Sequence, residues 1–196
     1  MDGILELGLI GLALAWTAEF LRTCNKTVAY SGRPTKVQLR GCTMNDVVNT
    51  DRIEKRIQLK ASRERVWRAV TDSKEFGTWF KCALEGPFEV GKAIKGNITH
   101  PGYEHVKFEW IVERMDAPSV FTYRWHPAAI DTKVDYSSEE MTKVEFRLEE
   151  KDGGTLLTVT ETGFDKIPAA RRAEAFRMNE GGWTQQVKNI EAHLAR

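Results

Sequence analysis

The stretch Pro168-Ala-Ala-Arg-Arg-Ala-Glu-Ala-Phe-Arg-Met-Asn-Glu-Gly-Gly-Trp-Thr-Gln-Gln-Val-Lys-Asn-Ile-Glu-Ala-His-Leu-Ala-Arg196 reads as one long amphipathic helix. Phe176, Trp183, Val187, Ile190 and Leu194 recur at spacings of seven, four, three and four, so they share one face. Arg171, Arg172, Glu174, Lys188 and Glu191 fall opposite and are expected to meet solvent. Pro168 suits the first helical turn, where a missing N–H costs nothing. His193 is expected to meet the last helical carbonyls. Gly181-Gly182 breaks the pattern at about 1 kcal/mol per glycine relative to alanine. That pair predicts a close backbone approach, a kink or room left beside Trp183. So wide an apolar stripe needs a partner surface, and the chain before it supplies strands.

Ile53, Lys55, Ile57 and Leu59 alternate with Glu54, Arg56, Gln58 and Lys60, the period of a first strand. Ser62 is a good N-cap for a helix over Arg63–Thr71, with Val66, Trp67 and Val70 on one side. A second short helix is expected over Ser73–Phe80. Strands are then expected through Phe88 and through Ala93–Thr99. Val106, Phe108, Trp110 and Val112 share one strand face, as do Phe121, Tyr123 and Trp125, and then Val144, Phe146 and Leu148. A long polar loop over Pro127–Glu140 separates the second of these strands from the third. Lys151-Asp-Gly-Gly154 predicts a tight hairpin turn. The strand after it puts Leu157, Val159 and Glu161 on one face. Apolar-in, polar-out alternation marks an antiparallel sheet with one wet face. The expected fold is α+β: a curved antiparallel sheet of about six or seven strands around the long C-terminal helix, with two short helices after the first strand.

Residues 1–50 differ in character. Their apolar run is about a dozen residues, short of the roughly 20 that a membrane helix needs. They begin Met1-Asp2 and carry Glu6, where a secretory signal would be basic. They are expected to form a poorly ordered or partly helical extension to the domain at 51–196, with translation from Met44 as the alternative. Twenty-nine basic against 28 acidic residues create no global field for nucleic acid or anionic membrane. Cys24, Cys42 and Cys82 are scattered and odd in number, which argues against a disulfide framework and for the cytoplasm. Cys82 reads as a buried small side chain.

Ser62-Arg-Glu-Arg-Val-Trp-Arg-Ala-Val-Thr-Asp72, Trp79-Phe80, Gly91, Glu161-Thr-Gly-Phe164 and Gly182-Trp183 together resemble the START-like (SRPBCC, helix-grip) superfamily. The branch they resemble is named for the C-terminal domain of the activator of Hsp90 ATPase. The resemblance spans Asp51–Arg196, and its motifs are structural. It implies a cavity between helix and sheet that takes small apolar or aromatic molecules. Some branches are cyclases or aromatases, and others only bind a ligand or a partner.

Trp79, Phe108, Trp110, Tyr123, Trp125, Phe146, Phe176 and Trp183 are therefore the candidate ligand-binding set, the alternative being that they simply fill a core. Glu161 joins them as a ligand anchor or acid/base group, because a carboxylate on an inward face is raised in pKa. The alternative for it is a solvated strand end or an Arg or Lys partner. His100, Tyr103, His105 and His126 are expected at a cavity rim. Their spacing fits no zinc site. No nucleophile elbow, phosphate loop or dinucleotide turn appears, so no cofactor and no metal are expected. Three functions follow: a small-molecule binder, an enzyme such as a cyclase, dehydratase or hydrolase on the same scaffold, or a module docking an Hsp90-type chaperone. A homodimer is compatible with each; nucleic acid and membrane partners are not expected.

Overall fold

The structure, a computed structural model, describes residues 51–196. The expectations for residues 1–50 lie outside the described residues. Seven strands form one antiparallel sheet: β1 (Arg52–Leu59), β2 (Cys82–Leu84), β3 (Ala93–Ile98), β4 (Lys107–Asp116), β5 (Val120–Trp125), β6 (Thr142–Lys151) and β7 (Gly154–Thr162). Their spatial order is β1-β7-β6-β5-β4-β3-β2. Among the described residues three α-helices, α1 (Arg63–Thr71), α2 (Ser73–Phe80) and α3 (Ala169–Leu194), complete the helix-grip arrangement.

Local chemistry explains the junctions. The Ser62 hydroxyl accepts from the Arg65 N–H at 3.3 Å and caps α1. Asp72 ends α1 and caps α2, accepting from the N–H groups of Lys74 and Glu75 at 3.0 and 2.9 Å. Asp152 and Gly153 both take positive φ, 51° and 72°, so the β6–β7 hairpin turns in two residues. Pro168 occupies the cap position and α3 begins at Ala169, one residue later than expected.

The sheet buries the phase that the alternation predicts. Val112, Tyr123, Val144, Glu161 and Ile53 form one cross-strand row over β4, β5, β6, β7 and β1, and all five are buried. Trp183 and Ile190 of α3 are buried above the sheet, with Phe176, Val187 and Leu194 packed partly against it.

Four expectations are corrected. Phe88 lies in a loop: the short strand here is Cys82–Leu84, and Phe88 is buried without pairing. A Cβ added at Gly181 or Gly182 would meet nothing within 4 Å, so close backbone approach does not explain them, and α3 runs through them unbroken. His193 reaches sideways to Glu75 at 3.2 Å, joining Arg65 and Arg68 on the same carboxylate and tying α1, α2 and α3 together. Arg171 and Arg172 are half-buried, each held by hydrogen bonds. Among the described residues no helix is long and apolar enough to cross a membrane.

Candidate functional site

Glu161 lies on β7 between Ile53 and Val144 and is completely buried. Four neutral donors surround its carboxylate. The Trp125 indole N–H and the Thr142 hydroxyl donate to Oε1 at 2.7 and 2.6 Å. The Trp183 indole N–H donates to Oε2 at 2.6 Å. The Asn179 amide donates to both oxygens, at 2.8 and 3.0 Å. Burial pushes the Glu161 carboxyl above its ordinary range, and the hydrogen bonds from Thr142, Trp183, Trp125 and Asn179 draw it back. No described Lys or Arg pairs with it. Each donor suits an acceptor-only carboxylate, so the network pins Trp125 of β5 to Asn179 and Trp183 of α3.

The expected aromatic set divides. Trp79, Trp110, Tyr123, Phe146 and Trp183 are buried in mutual ring contact. The α2 ring of Phe76 sits among them, 4.5–6.5 Å from the rings of Trp79, Phe80, Phe88, Trp110, Tyr123 and Phe146. Trp79 also donates its indole N–H to the Ala69 carbonyl at 2.8 Å, a helix-to-helix tie. Phe176 stacks edge-on against Phe164 at 5.1 Å, near the start of α3.

Phe108 and Trp125 do reach open space. With Val134 and Tyr136 they wall a cleft of about 460 Å³ between β3–β4 and the loop joining β5 to β6, a volume in the range of small-molecule sites. His105 and His126 line it; His100 and Tyr103 do not, and instead contact each other in the β3–β4 turn. The His126 ring also meets the Glu139 carbonyl at 3.2 Å.

Arg171 of α3 fastens the outer wall. Its Nε donates to Glu139 Oε2 at 2.7 Å, its Nη1 donates to the Pro127 carbonyl at 2.9 Å, and its guanidinium lies 4.8 Å from the Tyr136 ring centroid. One side chain thus grips both ends and the middle of the loop. Gly96 makes room on the other wall: a Cβ there would meet the Ala83 carbonyl oxygen at 2.3 Å and the Phe108 ring at 2.7 Å. Cys82 is buried and its thiol is pushed up to about 12 by desolvation, which leaves it unreactive. No group of three His, Cys, Asp or Glu among the described residues is placed to hold a metal.

Asn179, Thr142 and Arg171 were not among the sequence candidates. Asn179 was findable: it stands three residues after Phe176 and four before Trp183, on the same helical face.

Residues 60–195 match the family described as Activator of Hsp90 ATPase homolog 1-like protein. A search of curated proteins finds no match. Among solved structures, a protein from Arthrobacter aurescens aligns with a TM-score of 0.63 at 18% identity, over 76% of this chain and 88% of its own. The Aha1 dimer from Colwellia psychrerythraea aligns at 0.55 and 18% identity, over 73% and 95%. DynU16, a protein in the dynemicin biosynthetic locus, aligns at 0.55 and 20% identity; 74% of this chain spans 47% of that one, less than half its length. At these identities the likeness is one of fold.

Proposed function

We propose that this chain, which belongs to the Activator of Hsp90 ATPase homolog 1-like family, binds a small apolar or aromatic molecule in the cleft beside Trp125. One observation carries the reading. Trp125 presents its ring to the cleft while its indole N–H is fixed from behind by a buried carboxylate. Half-buried Phe108 and Trp125 offer flat ring area to a flat guest, and the anchored Trp125 does so at little cost in side-chain freedom. The same fold in a protein of the dynemicin locus supports a small-molecule role. An acid/base role for Glu161 has less support, because donors already engage both of its oxygens.

The test is a thermal-shift and tryptophan-fluorescence titration with two- and three-ring aromatic compounds. Ligand bound only by the native state stabilises it by roughly 2.7 kcal/mol at a hundred times Kd. A saturable shift that Trp125→Ala abolishes is expected; no shift with any compound overturns the reading.

A second reading has its own observation. Ile130 and Val134 are 38% and 46% exposed on the Arg171-held loop, which gives a partner such as an Hsp90-type chaperone an apolar contact. Binding to purified Hsp90 that Ile130→Asp weakens would favour it; absence of binding would remove it.

A further inference from the structure

Two polar atoms behind the cleft have no partner. The Trp110 indole Nε1 and the Tyr123 hydroxyl are fully buried, and neither meets a hydrogen-bond partner among the described residues. Their rings stack on each other with centroids 4.8 Å apart and planes at 12°. Phe108, a wall of the cleft, stacks on the outer side of Trp110 at 4.6 Å and 16°. Trp125, the other wall, stands edge-on to both at 5.8 and 6.0 Å. The Trp110 ring thus lies one ring behind Phe108, and the Tyr123 ring one ring behind Trp125.

Leaving a buried donor unmet costs about 1–3 kcal/mol, and such groups in native interiors call for a reason. Two in adjacent rings behind a cleft have a common one. We propose that Phe108 swings aside and the cleft extends inward to Trp110 and Tyr123, forming a site for an aromatic molecule that carries a neutral acceptor oxygen, an aryl carbonyl above all. This rests on the ligand reading above and specifies its chemistry.

Trp110 Nε1 can only donate, so the guest atom must accept. Tyr123 and Glu161 belong to one cross-strand row, two strands apart, roughly 10 Å at the usual strand spacing. A carboxylate there disfavours an anionic guest atom, which selects a ketone or aldehyde oxygen over a carboxylate or phenolate. Burial, and then the charge of Glu161, also hold the Tyr123 hydroxyl protonated, so it keeps a proton to donate.

The test uses a matched pair of flat probes, fluorenone and fluorene, which differ by the carbonyl oxygen. Each is titrated by tryptophan fluorescence into the full chain, into Tyr123→Phe and into Trp110→Phe, with folding of the variants checked by circular dichroism. Fluorenone is expected to bind roughly 3- to 10-fold more tightly than fluorene. Tyr123→Phe is expected to erase most of that preference while leaving fluorene binding unchanged, and Trp110→Phe to reduce it. Equal binding of the two probes, or a preference that both variants keep, overturns the carbonyl site and leaves the ligand reading standing. Binding of neither probe overturns both. Should Trp110→Phe fail to fold, the Tyr123→Phe comparison alone decides.

Discussion

Glu161 and Tyr123 lie in the same cross-strand row, with Val144 between them, yet the fold treats them oppositely. Every lone pair of the carboxylate that matters is met by a neutral donor placed by β5, β6 or α3. The Tyr123 hydroxyl and the indole N–H of its stacked neighbour Trp110 meet no hydrogen-bond partner among the described residues. A buried polar group that is fully satisfied specifies a structure. A buried polar group left open is a cost that folding alone does not explain. The difference separates a part of the core that holds α3 to the sheet from a part kept ready for something else.

The largest expected effect comes from breaking the satisfied side. Glu161→Gln turns one acceptor oxygen into an NH₂ group facing donors and should lower stability by about 2–3 kcal/mol, a Tm fall of roughly 5–10 °C. Tyr123→Phe removes a hydroxyl that bonds to nothing and should stay within about 0.5 kcal/mol of the parent or exceed it. Equal losses for the two variants in urea unfolding would erase the contrast. The same pair has a pH signature. Because the folded Glu161 carboxyl is raised above its unfolded value near 4.5, the native state binds the proton more tightly. Its contribution is full below that value and is lost as pH rises through the folded pKa. The stability margin of the parent over Glu161→Gln should therefore shrink as pH rises from about 4.5; a margin that grows with pH would reverse the assignment. Glu75 runs the other way. Burial raises its carboxyl, but His193, Arg65 and Arg68 outweigh that and hold it below the ordinary range, so its contribution is lost as pH falls.

How much of this contrast could be read in advance depends on period. Strand phase carried Glu161 inward because it follows Leu157 and Val159 at intervals of two, and the same rule placed Trp110 and Tyr123 inside. Period does not reveal partners. Asn179 shares the helical face of Phe176 and Trp183 but is polar, so a face drawn from apolar residues alone omits it. Thr142 opens β6 one residue before the alternation becomes visible. Cys82–Leu84 is too short to display a period, while Phe88, an apolar residue buried in a loop, imitates one. Whether an aromatic interior is filled or hollow is a matter of volume, and Phe76, the ring packed at the centre of the aromatic cluster, belongs to a helix whose packing direction the sequence leaves open.

A smaller effect is expected where the open side meets its outer wall. Arg171→Ala removes two hydrogen bonds and a ring contact from a half-buried guanidinium. It should cost about 1–2 kcal/mol and act locally. Amide exchange over residues 127–140 should accelerate at least several-fold, while β6 and β7 around Glu161 keep their protection. Uniform acceleration across both regions would mean that the loop and the carboxylate network form one cooperative unit, and the division between them would fall.

The smallest effect concerns α3, which serves both sides. Its buried face carries Asn179 and Trp183 to Glu161, and between them Gly181 and Gly182 point into open space. Glycine in a helix interior gives up roughly 0.5–1 kcal/mol against alanine, largely through the freedom of the unfolded chain. With no atom in the way, Gly181→Ala and Gly182→Ala should each return that amount and raise Tm by about 1–4 °C. Neither reaches the interior, so the affinity for flat aromatic probes should stay as in the parent. A variant that gains stability but loses affinity would place the cost of these glycines with binding, through flexing of α3 between its hold on Glu161 and its hold on the loop. A variant that loses stability would show a contact at that face.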